Sequence, residues 1–92
     1  MHVLRVEHVV PDYDAWKAAF DGDPVGREKA GVVRYRVLRA TDDPNLVMID
    51  LEFDSLTEAT QMHESLRELW SRVDVMRDPS ARSAEIVETY EY

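Results

Sequence analysis

The feature that most constrains this chain is a pattern that occurs twice: a run alternating with period two, a helix-capping residue, then apolar residues at helical spacing. Leu4, Val6, His8 and Val10 lead through Asp12 into Tyr13, Trp16, Ala19 and Phe20. Val47, Ile49, Leu51 and Phe53 lead through Ser55 into Leu56, Ala59, Met62, Leu66, Leu69, Trp70 and Val73. Alternation sends successive side chains to opposite faces of a sheet, whereas three-and-four spacing builds one face of a helix. Asp12 is placed to accept from the first free helical amides. Ser55 and Glu58 spell a capping box, in which hydroxyl and carboxylate each satisfy the other's end of the backbone.

Between the two halves the alternation returns over residues 32–40, with Val33, Tyr35 and Val37 on one face and Arg34, Arg36 and Leu38 on the other. The turn residues 41–45 close a hairpin onto the strand at Leu46–Phe53. A short second helical piece is predicted through Arg27, Glu28 and Lys29 to Gly31, which is placed to stop it. Asp78, Pro79 and Ser80 read as a loop, and the β-formers of residues 84–92 predict the last strand. Right-handed crossovers interleave the two halves of this β-α-β-β-α-β order into a four-stranded antiparallel sheet with both helices on one face. The expected fold class is therefore α+β, a ferredoxin-like plait, in one domain over residues 1–92.

The helix-facing residues of the first three strands, with Trp16, Phe20, Leu66 and Trp70, form the predicted core. The opposite face carries Val3, Arg5, Glu7 and Val9, then Arg34, Arg36 and Leu38, then Met48, Asp50 and Glu52. A five-residue hairpin loop sets Leu38 across from Met48, Arg36 across from Asp50 and Arg34 across from Glu52, close enough to pair. A helix-free face that mixes apolar groups with balanced charges is not the uniformly polar surface that water selects. A homodimer joined through this face is expected. A chain of 92 residues buries only about 60% of its unfolded surface, so dimerisation would also supplement a small core.

A formal charge of −8, from 19 acidic against 11 basic residues, repels phosphate backbones and anionic lipid. No nucleic acid and no membrane partner is expected, and a soluble cytoplasmic protein is the default reading. The sequence has no cysteine, which removes thiolate nucleophiles, disulfides and Cys-based metal sites. Its three histidines do not cluster with other ligands, and no Gly-rich phosphate loop is present, so no metal and no cofactor is expected.

Over nearly its whole length the chain resembles the dimeric α/β-barrel superfamily, and within it the small antibiotic-biosynthesis-monooxygenase-like proteins. The resemblance rests on the element order at this length, on Asp14, Ala15, Trp16 and Phe20, on Gly31 before the second strand, and on the third strand running into Ser55, Leu56, Thr57, Glu58 and Ala59. It implies two sheets packed through their helix-free sides and a small or polycyclic molecule held between sheet and helices. Haem-degrading members carry an Asn near the first strand, a Trp on the second long helix and a His soon after. Trp70 matches the Trp, but Glu7 and His8 stand where the Asn would be, no His follows Trp70, and Asn45 lies in the hairpin loop. Cofactor-free quinone-forming oxygenases use Asn, Trp, Tyr and Arg around a pocket, for which Trp16, Trp70, Tyr35 and Arg36 are the candidates here.

The candidate catalytic residues are His63 and Trp70, two turns apart on one helix, as a base beside an aromatic wall. The candidate ligand-binding residues are His8, Tyr35, Arg36, Asp50 and Trp16. Each has a plainer structural reading. His8 would be a hydrogen-bonded core histidine, His63 a flanking one, the tryptophans core packing, and Arg36 with Asp50 a cross-strand pair. Two functions follow from these readings. One is a small-molecule-binding protein, extending to a cofactor-independent monooxygenase-like enzyme. The other is a non-catalytic dimeric interaction module whose interior is filled by its own side chains. An open interior cavity would separate the two.

Overall fold

Both helices begin where their caps place them. In the computed structural model, which describes residues 1–72 and 77–92, the Asp12 carboxylate accepts from the amides of Asp14 (3.0 Å) and Ala15 (3.4 Å), starting α1 (Tyr13–Asp21). Ser55 starts α2 (Leu56–Trp70), its hydroxyl accepting from the Glu58 amide at 3.2 Å. The capping box is only half of the predicted one. The Glu58 carboxylate accepts from the Ser55 hydroxyl at 3.0 Å, so it steadies the cap side chain instead of the backbone. Val73, placed by its spacing at the end of the α2 stripe, lies outside the described residues.

The strands are β1 (His2–Val9), β2 (Val32–Arg39), β3 (Leu46–Phe53) and β4 (Arg77–Glu85), in the spatial order β2-β3-β1-β4 with every neighbour antiparallel. This is the predicted plait. Its interior is built from Leu4, Val6 and Val10 at the first strand, Val47, Ile49, Leu51 and Phe53 from β3, and Trp16, Ala59 and Met62 from the helices. Phe20, Leu66 and Trp70 pack against this core half-buried. Among the described residues no helix is long and apolar enough to cross a membrane.

Four local readings are corrected. Residues 27–31 form turns and not a helix: left-handed backbone at Asp23 (φ 53°) and Gly26 (φ 64°) cuts the segment off from α1, and its amides bond at changing spacings, Ala30 to Gly26, Gly31 to Glu28 and Val32 to Arg27. The β2–β3 pairing slips between Val32 and Arg34, so Val32 opposes Phe53 and the intervening Val33 is half-exposed instead of core-facing. Tyr35 keeps its predicted register opposite Leu51 but is also exposed, since β2 is an edge strand. The last strand occupies Arg77–Glu85, including the predicted loop, and residues 86–92 are not strand. Pro79 is tolerated there because β4 is an edge and its pairing with β1 is irregular at that point.

Gly31 (φ 102°) joins the turns to β2 and backs directly onto the Glu58 carboxylate, so a Cβ at this position would collide with it.

Candidate functional site

The second half of the β1 pattern puts His8 on the helix side of the sheet, opposite Val47 of β3. On its other flank the ladder is interrupted. Glu7 pairs with Ser80 and Val9 with Arg77, leaving two β4 residues against the single His8. Such bulges locally bend a strand and re-aim the side chains beside them. His8 is 3% exposed, and among the described residues neither of its ring nitrogens has a hydrogen-bond partner. Burial pushes its imidazole down to about 4, so the ring is neutral at physiological pH.

His8 lines a cavity of about 250 Å³ between the sheet and the helices. Its walls are Val6, Ile49 and Leu51 from the sheet, Trp16 and Phe20 from α1, and Leu66, Leu69 and Trp70 from α2. The aromatic side is continuous. The His8 and Trp16 rings lie 5.4 Å apart, Trp16 stacks on Phe20 at 5.2 Å, and Phe20 meets the edge of Tyr35 at 5.3 Å. The turns after α1 supply the rim with Pro24, Val25 and Arg27. The Arg27 guanidinium sits 3.9 Å from the Phe20 ring centroid and 4.9 Å from that of Tyr35, donates to the Phe20 carbonyl at 2.8 Å, and lies 3.5 Å from Asp23. Thus a largely apolar, aromatic-walled space has a neutral imidazole on its wall and a guanidinium beside it.

The structure brings together His8, Trp16 and Trp70 of the residues singled out by sequence. It does not bring the others to them. His63 is half-buried on α2 but is not part of the cavity wall. Tyr35 lies outside, beyond Phe20 and Arg27. Arg36 and Asp50 are on the opposite face of the sheet. There Asp50, 3% exposed, accepts two bonds from Arg5 at 2.8 Å and one from Arg36 at 3.1 Å, and Arg34 pairs with Glu52 at 3.2 Å. The Arg36–Asp50 and Arg34–Glu52 pairs follow the predicted cross-strand register. The Arg5 hydrogen bonds, with Arg36 adding to them, hold the Asp50 carboxyl below the usual carboxylate range.

Sequence reasoning missed Arg27 and the bulge beside His8. Arg27 reaches Phe20 only through the reversal at Asp23 and Gly26, which helical spacing does not encode. Pro79 was the available signal for irregular pairing opposite His8, and it reads equally well as a loop residue. Among the described residues no group of three or more His, Asp or Glu side chains is placed to hold a metal ion.

This arrangement of one antiparallel sheet and two helices is shared with solved structures named as dimeric ferredoxin-like proteins and candidate antibiotic biosynthesis monooxygenases. One such structure is a dimeric ferredoxin-like protein from an uncultured marine organism, with 11% identity, the whole of both chains covered and a TM-score of 0.67. Another is a protein from Nitrosomonas europaea named as a candidate antibiotic biosynthesis monooxygenase, with 18% identity over 96% of this chain and 100% of that one and a TM-score of 0.62. A third is a variant of MhuD with two manganese protoporphyrin IX molecules bound per active site, at 15% identity over 98% of this chain and 99% of that one and a TM-score of 0.59. At these identities the likeness is one of fold. No family model matches the sequence, and no curated protein does. The cavity here does not suit a tetrapyrrole. Its volume lies just under the ~300 Å³ lower bound of ordinary ligand pockets, and among the described residues Arg27 is the one cation on its wall to meet a pair of propionates.

Proposed function

We propose that this chain is a small-molecule-binding protein whose cavity takes a compact, planar, mostly apolar organic ligand, and that it works as a homodimer joined through the helix-free sheet face. The observation that carries the reading is the cavity itself, walled by Trp16, Phe20 and Trp70 with the unpartnered His8 inside. An interaction module with a self-filled interior would have closed this space with side chains, as protein cores do. The dimer reading is supported by the half-exposed Val9 and Leu38 on a face whose charges already pair with one another.

A second reading, cofactor-independent oxygenation, is supported by the fold shared with antibiotic biosynthesis monooxygenases and by an imidazole and an indole facing the same space. In it a ring or activated methylene of the substrate becomes a carbonyl. One atom of O₂ enters the product, the other leaves as water, and the substrate supplies all four electrons. The base would be His8 in place of His63, because His8 is the imidazole on the cavity wall.

The sequence has two tryptophans, and both line the cavity. Entry of a ligand must therefore change the intrinsic fluorescence of the protein. Titration with a panel of one-ring and two-ring aromatic compounds should give saturable changes that are lost or weakened in Trp70→Ala. Unaltered emission across the panel up to the solubility limit would reject the binding reading, and oxygen consumption with the compounds that do bind tests the second one.

A further inference from the structure

We infer that His8 is the specificity-determining group of this cavity and that it selects neutral one-ring or two-ring aromatic molecules carrying a single hydrogen-bond donor on the ring, O–H or N–H. The inference rests on the binding reading above and names the ligand chemistry for the same site. Three observations on separate parts of the structure lead to it.

The first is the orphaned imidazole. Buried polar groups are almost always partnered, and His8 has no partner on the protein side among the described residues. Its ring forms part of the cavity wall, but neither nitrogen surfaces there, so a turn of the ring is what would bring one of them to a bound molecule. The second is the surroundings. The other wall groups named above, apart from Arg27 at the rim, are hydrocarbon or aromatic side chains whose polar atoms are the donating indole N–H groups of Trp16 and Trp70, so among the described residues His8 is the side chain on the wall that can accept from a ligand's donor. The third is the interruption of the β1–β4 ladder at His8, a departure from regular pairing at the position that places an imidazole on the cavity wall.

A neutral imidazole presents one nitrogen that accepts and one that donates. The accepting nitrogen is the stronger discriminator, because a ligand lacking a donor leaves it desolvated and unpaired, whereas a ring O–H or N–H satisfies it. A formal charge would be poorly placed in this interior, which excludes carboxylates and ammonium compounds from the inner part of the site. Arg27 does not alter that selection. Its guanidinium is committed to the Phe20 carbonyl, Asp23 and two aromatic faces.

Two pairs of nearly isosteric probes test this by isothermal calorimetry: 2-naphthol against 2-methylnaphthalene, and indole against benzofuran. The donor-bearing member should bind about tenfold or more tightly than its partner. In His8→Leu the two members of each pair should bind alike, and the donorless probes should bind no more weakly than they do to the wild type, which also shows that the cavity has survived the substitution. His8→Gln, which retains an acceptor and a donor, should keep part of the preference. A preference confined to the naphthalene pair assigns the hydroxyl as the recognised donor, and one confined to the indole pair assigns the ring N–H. Equal affinities within both pairs for the wild type would overturn the inference while leaving the binding reading intact. Absence of binding by all four probes would reject both.

Discussion

Arg5 grips Asp50 through both carboxylate oxygens, each at 2.8 Å, from the strand on one side, while Arg36 reaches the same carboxylate from the strand on the other. The three residues are unequal. Asp50 is almost wholly buried, whereas both arginine side chains are about two-thirds exposed. Removing an arginine leaves a buried anion with fewer donors, and removing Asp50 leaves cations that water can still solvate. Arg5→Ala should therefore destabilise the protein by about 2 kcal/mol, and Arg36→Ala by less, because Arg36 makes the single and longer contact. Urea denaturation of the two variants at neutral pH checks the order. Equal losses would show that Arg36 carries as much of the carboxylate as Arg5.

The dimer reading gives Asp50 a second role. Across a closed interface the arginines lose their water, and an unpaired one then becomes costly. Asp50→Ala should loosen the dimer more than Glu64→Ala on the exposed side of α2, and Leu38→Glu should split it by placing an uncompensated charge in the apolar part of the face. Light scattering at low micromolar concentration should give twice the 10.7 kDa chain mass for the wild type. A wild-type mass near that of one chain would reject the dimer.

Stability should fall in mild acid because of His8. Its imidazole titrates near 4 when folded and near 6.5 when unfolded. Below 6.5 the unfolded chain takes up the proton first, so folding is penalised progressively as the pH drops toward 4, and above 6.5 the penalty is absent. From this residue alone, unfolding free energy should be about 2 kcal/mol lower at pH 5 than at pH 7.5. His8→Leu should remove that slope and leave the steeper loss at lower pH, where Asp50 is forced to accept a proton. An unchanged slope in His8→Leu would place the responsible proton elsewhere.

Arg27 closes one side of the cavity with a planar cation stacked on two rings. Arg27→Ala removes these contacts and a hydrogen bond to the Phe20 carbonyl, at an expected cost of about 1–3 kcal/mol. Lysine should not restore them, since it lacks the flat guanidinium. Stopped-flow fluorescence should show a faster ligand dissociation rate in both variants, with the association rate changed little.

The repeated β-α pattern made the plait legible, and the hairpin length made the Arg36–Asp50 and Arg34–Glu52 pairs legible, because both depend on spacing along the chain. Arg5 escaped notice as a partner of Asp50, since the plait sets β1 beside β3 but no short loop fixes the register between them. The last strand was misplaced for a related reason. Ser80 and Ser83 are poor strand formers, yet they pair with Glu7 and Leu4 of β1, while the β-formers of residues 86–92 make one backbone bond of this kind, from Ile86 to Met1. Alternation put His8 on the helix face correctly. Its lack of a partner is a property of what surrounds it in space, and no pattern of neighbours in sequence encodes that.

The contact between Gly31 and Glu58 joins the approach to β2 to the first turn of α2. The turns before it carry Pro24, Val25 and Arg27, and the helix beyond it carries Leu66, Leu69 and Trp70. A side chain added at Gly31 would meet the flexible end of Glu58, which can swing aside at the cost of its bond with the Ser55 hydroxyl, and would strain the backbone at φ 102°. Such a substitution acts first on a turn and a helix cap, and on no side chain of the cavity wall.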